Sequence, residues 1–161
     1  MKEVIKVRID KLIENSVNAL IYTISNLEDL VESIKIRGLQ EPIIINSDKV
    51  IMSGHRRVAA ARQLNFLEID AIIDNTVKTD ESVLFLIHSN KHRVKTAEEK
   101  FNEIKYLREY YGNRQGFRSD LQTTSGTINK SGIKTRDKIA KELGISETEV
   151  RQIEKIAQIN T

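Results

Sequence analysis

The sequence predicts an α+β fold: a small mixed β-sheet with helices, followed by an all-helical module. Three observations carry this expectation. Short aliphatic runs with strand periodicity fall only in the first half of the chain. From Thr79 onward the apolar residues recur at helical spacing. Near the end, Ala140 and Gly144 are spaced as two short helices need where they cross and where the chain turns between them.

Taken in order, Glu3–Ile9 alternates Lys6 and Arg8 with Ile5, Val7 and Ile9, the pattern of a strand with one face on a core. A polar connection follows. Ser25 is then read as a helix N-cap, with Glu28 three residues on completing a capping box. That helix aligns Leu27, Leu30, Val31 and Ile34, and Gly38 ends it. Pro42–Ile45 and Val50–Met52 are two short strands joined by the polar turn Asn46–Lys49, a predicted hairpin. An Ala-rich helix over Val58–Leu64 and a strand over Glu68–Ile73 complete the first half. Helical segments are expected over Asp80–His88, Thr96–Tyr111 and Thr135–Ile159. The domain expectation is residues 1–95 and 96–161, with a helix-turn-helix at 135–156.

With 161 residues, 39% of them hydrophobic, the chain can bury a core of one large or two small domains. The absence of Cys excludes disulfides, thiolate metal sites and cysteine nucleophiles. Met1–Ile9 lacks the apolar region of a signal peptide, and no apolar run approaches the ~20 residues of a membrane span. A soluble cytoplasmic protein with no membrane partner is therefore expected. The net charge is +3 and the pI about 9.1. Arg114, Arg118, Lys130, Lys134 and Arg136 face only Asp120 between Gly112 and Arg136, so the excess concentrates in one loop-like segment. Such a segment suits phosphate contacts or a solvated linker equally well.

Two places carry chemistry. In Thr135–Ile153, Ile139, Leu143 and Ile145 point inward, Gly144 makes the turn, and Ser146 with Glu149 caps a second helix docked by Val150 and Ile153. That helix exposes Ser146, Thr148, Arg151, Gln152 and Lys155, the first residues that would enter a major groove, with Arg136 beside them. Arg151 and Gln152 suit base edges and Lys155 a phosphate. Glu147, Glu149 and Glu154 oppose a polyanion, which keeps a structural or protein-binding hairpin as the other reading. The second place is Ser53-Gly54-His55-Arg56-Arg57, a glycine between a strand and a helix start followed by two forked cations. Open helix amides and guanidiniums there suit phosphate oxygens; surface salt bridges are the alternative. His55 fits a phosphate hydrogen bond, a proton carrier or a cap of the turn. Three scattered histidines without clustered acids make a zinc site a poor fit.

Gly38-Leu39-Gln40-Glu41-Pro42-Ile43, then Ser53-Gly54-His55-Arg56-Arg57-Val58-Ala59-Ala60-Ala61, then Ser89-Asn90-Lys91-His92-Arg93, with a helix-turn-helix last, resembles the ParB/Spo0J/Noc family over Val4 to Ile159. The resemblance implies a ParB/sulfiredoxin-like fold that binds CTP, with Ser53, Gly54, His55, Arg56 and Arg57 at the phosphates. It puts Asn90 and Arg93 near them, Asn90 toward Mg²⁺, and Gly38, Gln40 and Pro42 at the nucleotide's other end. It further implies a double-stranded DNA partner, a homodimeric clamp formed on nucleotide or DNA binding, at most slow CTP hydrolysis, and a nucleoid- or plasmid-associated role in partition or regulation. His55 and Ser89 stand where the family has Glu, which weakens Mg²⁺ coordination and hydrolysis more than nucleotide binding. The family's C-terminal dimerisation domain is not expected in this chain. The alternative reading is a small-molecule kinase or a nuclease on the same ParB/sulfiredoxin-like fold. Sulfiredoxin chemistry needs a cysteine this sequence lacks.

Overall fold

The computed structural model describes residues 3–76, 82–115 and 135–159. The basic loop and the predicted helix start at Thr79 and Asp80 fall wholly or largely outside these residues. The chain divides into two compact units, Met1–Ser89 and Asn90–Thr161.

The first unit is built on a four-stranded mixed sheet in the order β1-β4-β2-β3, from β1 (Val4–Arg8), β2 (Ile43–Ile45), β3 (Ile51–Ser53) and β4 (Glu68–Ile73). β4 runs antiparallel to β1 and parallel to β2, and β2 and β3 form the expected antiparallel hairpin. A parallel neighbour requires a crossover, and α3 (His55–Gln63) supplies it between β3 and β4. β2, flanked on both sides, is all isoleucine, while the edge strand β1 alternates exposed and inward residues. Ile43, Ile45 and Ile51 pack with Val58 and Ala61 of α3 and Ile69 and Ala71 of β4 in one cluster. Full burial of each large aliphatic side chain is worth about 1.5–3 kcal/mol. A single backbone hydrogen bond nets about 0.5–1.5 kcal/mol, so this layer of side chains, more than the ladder, holds the unit. Ala60 and Ala61, both fully buried, keep α3 close to its neighbours.

Two local expectations are corrected. The helix α2 (Glu28–Arg37) is not capped by Ser25: Leu27 is its N-cap, without a side-chain bond. Asn26 takes a left-handed φ of 53°, so the chain turns between Ser25 and the helix start. The polar connection after β1 is partly regular. It holds a 3-10 turn over Ile9–Lys11 and a helix α1 (Ser16–Ile21), whose Asn15 cap accepts a 3.0 Å bond from the Val17 amide. The Ala-rich helix also begins earlier than Val58, at His55, which puts His55, Arg56 and Arg57 inside its first turn. Gly38 ends α2 as expected, at φ 71°. The last helix of the unit is α4 (Ser82–Ser89).

The second unit is helical: α5 (Ala97–Gln115), α6 (Thr135–Leu143) and α7 (Glu147–Ile159). Thr96 and Glu99 make a reciprocal capping box on α5, at 3.0 and 3.1 Å. Ile104 and Leu107 of α5, Ile139 and Ala140 of α6, and Val150 of α7 are buried. α6 ends in a Schellman turn: the Gly144 amide bonds the Lys141 carbonyl and the Ile145 amide that of Ala140, with Gly144 at φ 68°. Ser146 then caps α7, its hydroxyl accepting from the Glu149 amide at 3.1 Å. Among the described residues no helix is long and apolar enough to cross a membrane.

Candidate functional site

The Ser53–Arg57 turn forms because β3 ends at Ser53 and Gly54 adopts a left-handed φ of 100° as N-cap of α3. A Cβ on Gly54 would lie 2.7 Å from Cγ2 of Ile43, so the backbone crosses directly above the central strand. Glycine has no side chain to cap with, and the first hydrogen bond runs from Val58 back to Gly54. The amides of the first turn therefore have no partner within the helix.

The side chains of that turn divide their work. Arg57 donates from Nη1 to the carbonyls of Glu41 and Pro42, at 2.8 and 2.9 Å, with the Glu41 carboxylate 3.6 Å away. It ties the strand entry at Pro42 to the helix start, and burial pulls its pKa below the ordinary value. Arg56 donates to the Asn26 carbonyl at 2.7 Å while its Nε is buried with no partner. His55 is 6% exposed and its Nε2 is likewise buried without a partner. Burial pushes its pKa down to about 4, against the opposing pull of Glu14. At neutral pH it is uncharged. Gln40 reaches back to the Arg37 carbonyl at 2.6 Å, and Gly38 ends α2. The structure thus joins Pro42 to the turn through Arg57, whereas Gly38 and Gln40 are held on the end of α2.

Asn90 and Arg93 belong to the second unit. The Asn90 carbonyl accepts from the Arg93 amide at 3.1 Å, and the Arg93 guanidinium binds Glu99 of α5 at 2.7 Å. Lys95 binds Glu103 at 2.7 Å. Both acids are buried, and burying a charge is costly unless it is paired. Sequence reasoning missed these pairs, although Thr96-Ala97-Glu98-Glu99 is a capping-box signal that would have placed Glu99. Among the described residues no group of three or more acids and histidines could hold a metal ion. Any Mg²⁺ here would depend on a ligand's own phosphates, as Mg²⁺ commonly does.

On α7 the expected contact residues Ser146, Thr148, Arg151, Gln152 and Lys155 are all exposed. The acids are disposed differently. Glu149 pairs with Lys100 of α5 at 3.5 Å. Glu154 takes an ion pair from Arg108 of α5 and lies 4.0 Å from Arg136 of α6. Arg136 is thereby turned toward Glu154, with its Nε buried and unpartnered. The helix presents Arg151, Gln152 and Lys155 outward and faces two of its acids toward cations of its own unit.

The geometry defines a class: an α+β domain with a glycine–arginine turn at a helix start, joined to a helical unit ending in two helices about a tight turn. The chain belongs to the ParB N-terminal domain family, whose model matches residues 1–91. It is 32% identical over 85 residues to a probable chromosome-partitioning protein ParB of Rickettsia felis, covering 53% of this chain and 30% of that protein. It is 28% identical over 101 residues to a nucleoid occlusion protein of Lysinibacillus sphaericus, covering 60% of this chain and 34% of that one. The matches thus span about a third of these relatives' length. A Pnob8-like ParB-N domain superposes with TM-score 0.67 at 16% identity, over 94% of this chain and 67% of that chain. A C-terminally truncated ParB from Caulobacter crescentus complexed to the centromeric parS site gives 0.55 at 18% identity, over 92% and 68%. The likeness extends to the fold of both units.

Proposed function

We propose that this chain is a ParB-like DNA-binding protein, acting in partition or regulation at the nucleoid or a plasmid, with α7 as its reading helix. The observation that carries this is the charge distribution on α7. Of the three acids that would repel DNA, Glu149 and Glu154 are paired with Lys100 and Arg108 and Glu147 is exposed, while Arg151, Gln152 and Lys155 stand clear. The parS complex of the Caulobacter protein, similar in fold, and the names of the curated relatives support the same reading.

A nucleotide, CTP by family resemblance, is the ligand proposed for the Gly54 turn. The buried, unpartnered Nε of Arg56 and Nε2 of His55 beside open helix amides suit an anionic ligand. Arg56 keeps a buried donor at Nε, and the bonds of Arg57 all run from Nη1. Asn90 and Arg93 are proposed as nucleotide residues on the family resemblance alone, and Mg²⁺ would come with the triphosphate. Engagement of two copies into a clamp, and slow hydrolysis at most, complete the proposal.

Two titrations test it. Arg151→Ala with Gln152→Ala should weaken binding to a preferred duplex by about 1–3 kcal/mol for each base edge the helix no longer reads; unchanged affinity would remove α7 from the interface. Calorimetry with CTP, ATP, GTP and UTP in the presence of Mg²⁺ should show selective CTP binding that Arg56→Gln abolishes. Binding that survives this change would place the phosphates elsewhere.

A further inference from the structure

The second unit contains a cleft of about 320 Å³ whose rim carries Lys91, Arg93, Lys95 and Lys100, and whose apolar wall includes Leu143 and Ile145. Its cations are not equivalent. Arg93 and Lys95 are neutralised by Glu99 and Glu103 at 2.7 Å. Lys100 is held only at 3.5 Å by Glu149. Lys91 is exposed, forms no hydrogen bond or ion pair among the described residues, and lies against the turn, its Cε 3.7 Å from where a Cβ on Gly144 would be.

We infer that this cleft is a phosphate site for the DNA backbone, with Lys91 as its contact. The inference rests on the DNA-binding reading of α7 and adds a contact outside its two helices. Three features carry it. The cleft adjoins the Gly144–Ile145 turn that leads into α7, so a strand lying at the N-terminus of that helix passes its rim. Its volume of about 320 Å³ leaves room for a phosphodiester group between the rim cations. Its unspent charge sits on lysine, a flexible point charge that contacts phosphate without reading sequence.

The test uses the full chain, a short fluorescent duplex and anisotropy over a range of salt. Lys91→Gln should weaken binding several-fold on every sequence and lower the slope of log K against log salt by about 1. Lys91→Arg should restore both. Arg151→Ala, run in parallel, should instead weaken binding selectively on the preferred sequence. If Lys91→Gln leaves affinity and slope unchanged while Arg151→Ala still weakens binding, the cleft is not a DNA contact, and the reading of α7 stands. Should Lys91→Gln abolish CTP binding and spare the salt slope, the cleft serves the nucleotide and the inference fails. A wild-type chain that binds no duplex overturns the DNA reading and this inference together.

Discussion

Two glycines make the turns on which both proposed sites depend, for different physical reasons. Gly54 and Gly144 both adopt left-handed conformations, at φ 100° and 68°. Over Gly54 a Cβ would strike Ile43 at 2.7 Å; over Gly144 the nearest atom is the flexible end of Lys91 at 3.7 Å. The first position needs glycine for its dihedral and for its missing volume, the second for its dihedral alone. The side chains follow the same division. Around Gly54 the cations turn inward, onto the carbonyls of Asn26, Glu41 and Pro42. Past Gly144, on α7, Arg151, Gln152 and Lys155 stay in solvent. One site is built into a core, the other is carried on a surface.

The sharpest way to break this comparison is to give each glycine a methyl group. Gly54→Ala incurs left-handed strain of about 1–2 kcal/mol and overpacking against Ile43 of about 1–3 kcal/mol, and should lower stability by their sum. Gly144→Ala incurs the strain alone. Urea denaturation of both variants decides the point: equal losses would mean that the close approach over Ile43 relaxes at no cost.

Protonation probes the buried site from another side. His55, with its pKa depressed to about 4 from an ordinary 6.5, binds a proton more readily unfolded than folded. The stability this gives is fully present above pH 6.5 and is lost as pH falls toward 4. By linkage that loss is roughly 3 kcal/mol. His55→Gln should flatten the acid limb of a stability–pH curve by that amount. A curve of unchanged steepness would assign the acid sensitivity to other groups.

Much of this was legible in the sequence, for reasons specific to each element. The four strands show because short aliphatic runs bounded by polar turns have few other uses, and the α6–α7 turn shows because Ala140, Gly144 and Ser146 each meet a separate local demand. Direction was less legible than position. Arg56 and Arg57 read as a pair of phosphate ligands, and nothing local shows that Nη1 of Arg57 bonds two carbonyls that the packing of β2 beside α3 brings within reach. Arg136 reads as a DNA contact, and nothing local in the sequence shows that its guanidinium lies 4.0 Å from Glu154. The acids of α7 read as an obstacle, and their partners Lys100 and Arg108 lie far away in sequence. Pairings across such separations are fixed by tertiary structure and leave no local pattern.

Helix caps give the smallest effect and the most direct comparison between a sequence signal that is realised and one that is not. Ser25 and Ser146 both precede a Glu by three residues. Ser146 accepts from the Glu149 amide at 3.1 Å, whereas α2 starts after Leu27 with no side-chain cap. Ser146→Ala should therefore cost about 1 kcal/mol in stability, read as a shift of the urea midpoint. Ser25→Ala should leave that midpoint where it is. A loss at Ser25 equal to that at Ser146 would show that the left-handed turn at Asn26 does not separate the hydroxyl from the helix, and would return the start of α2 to the position its sequence suggests.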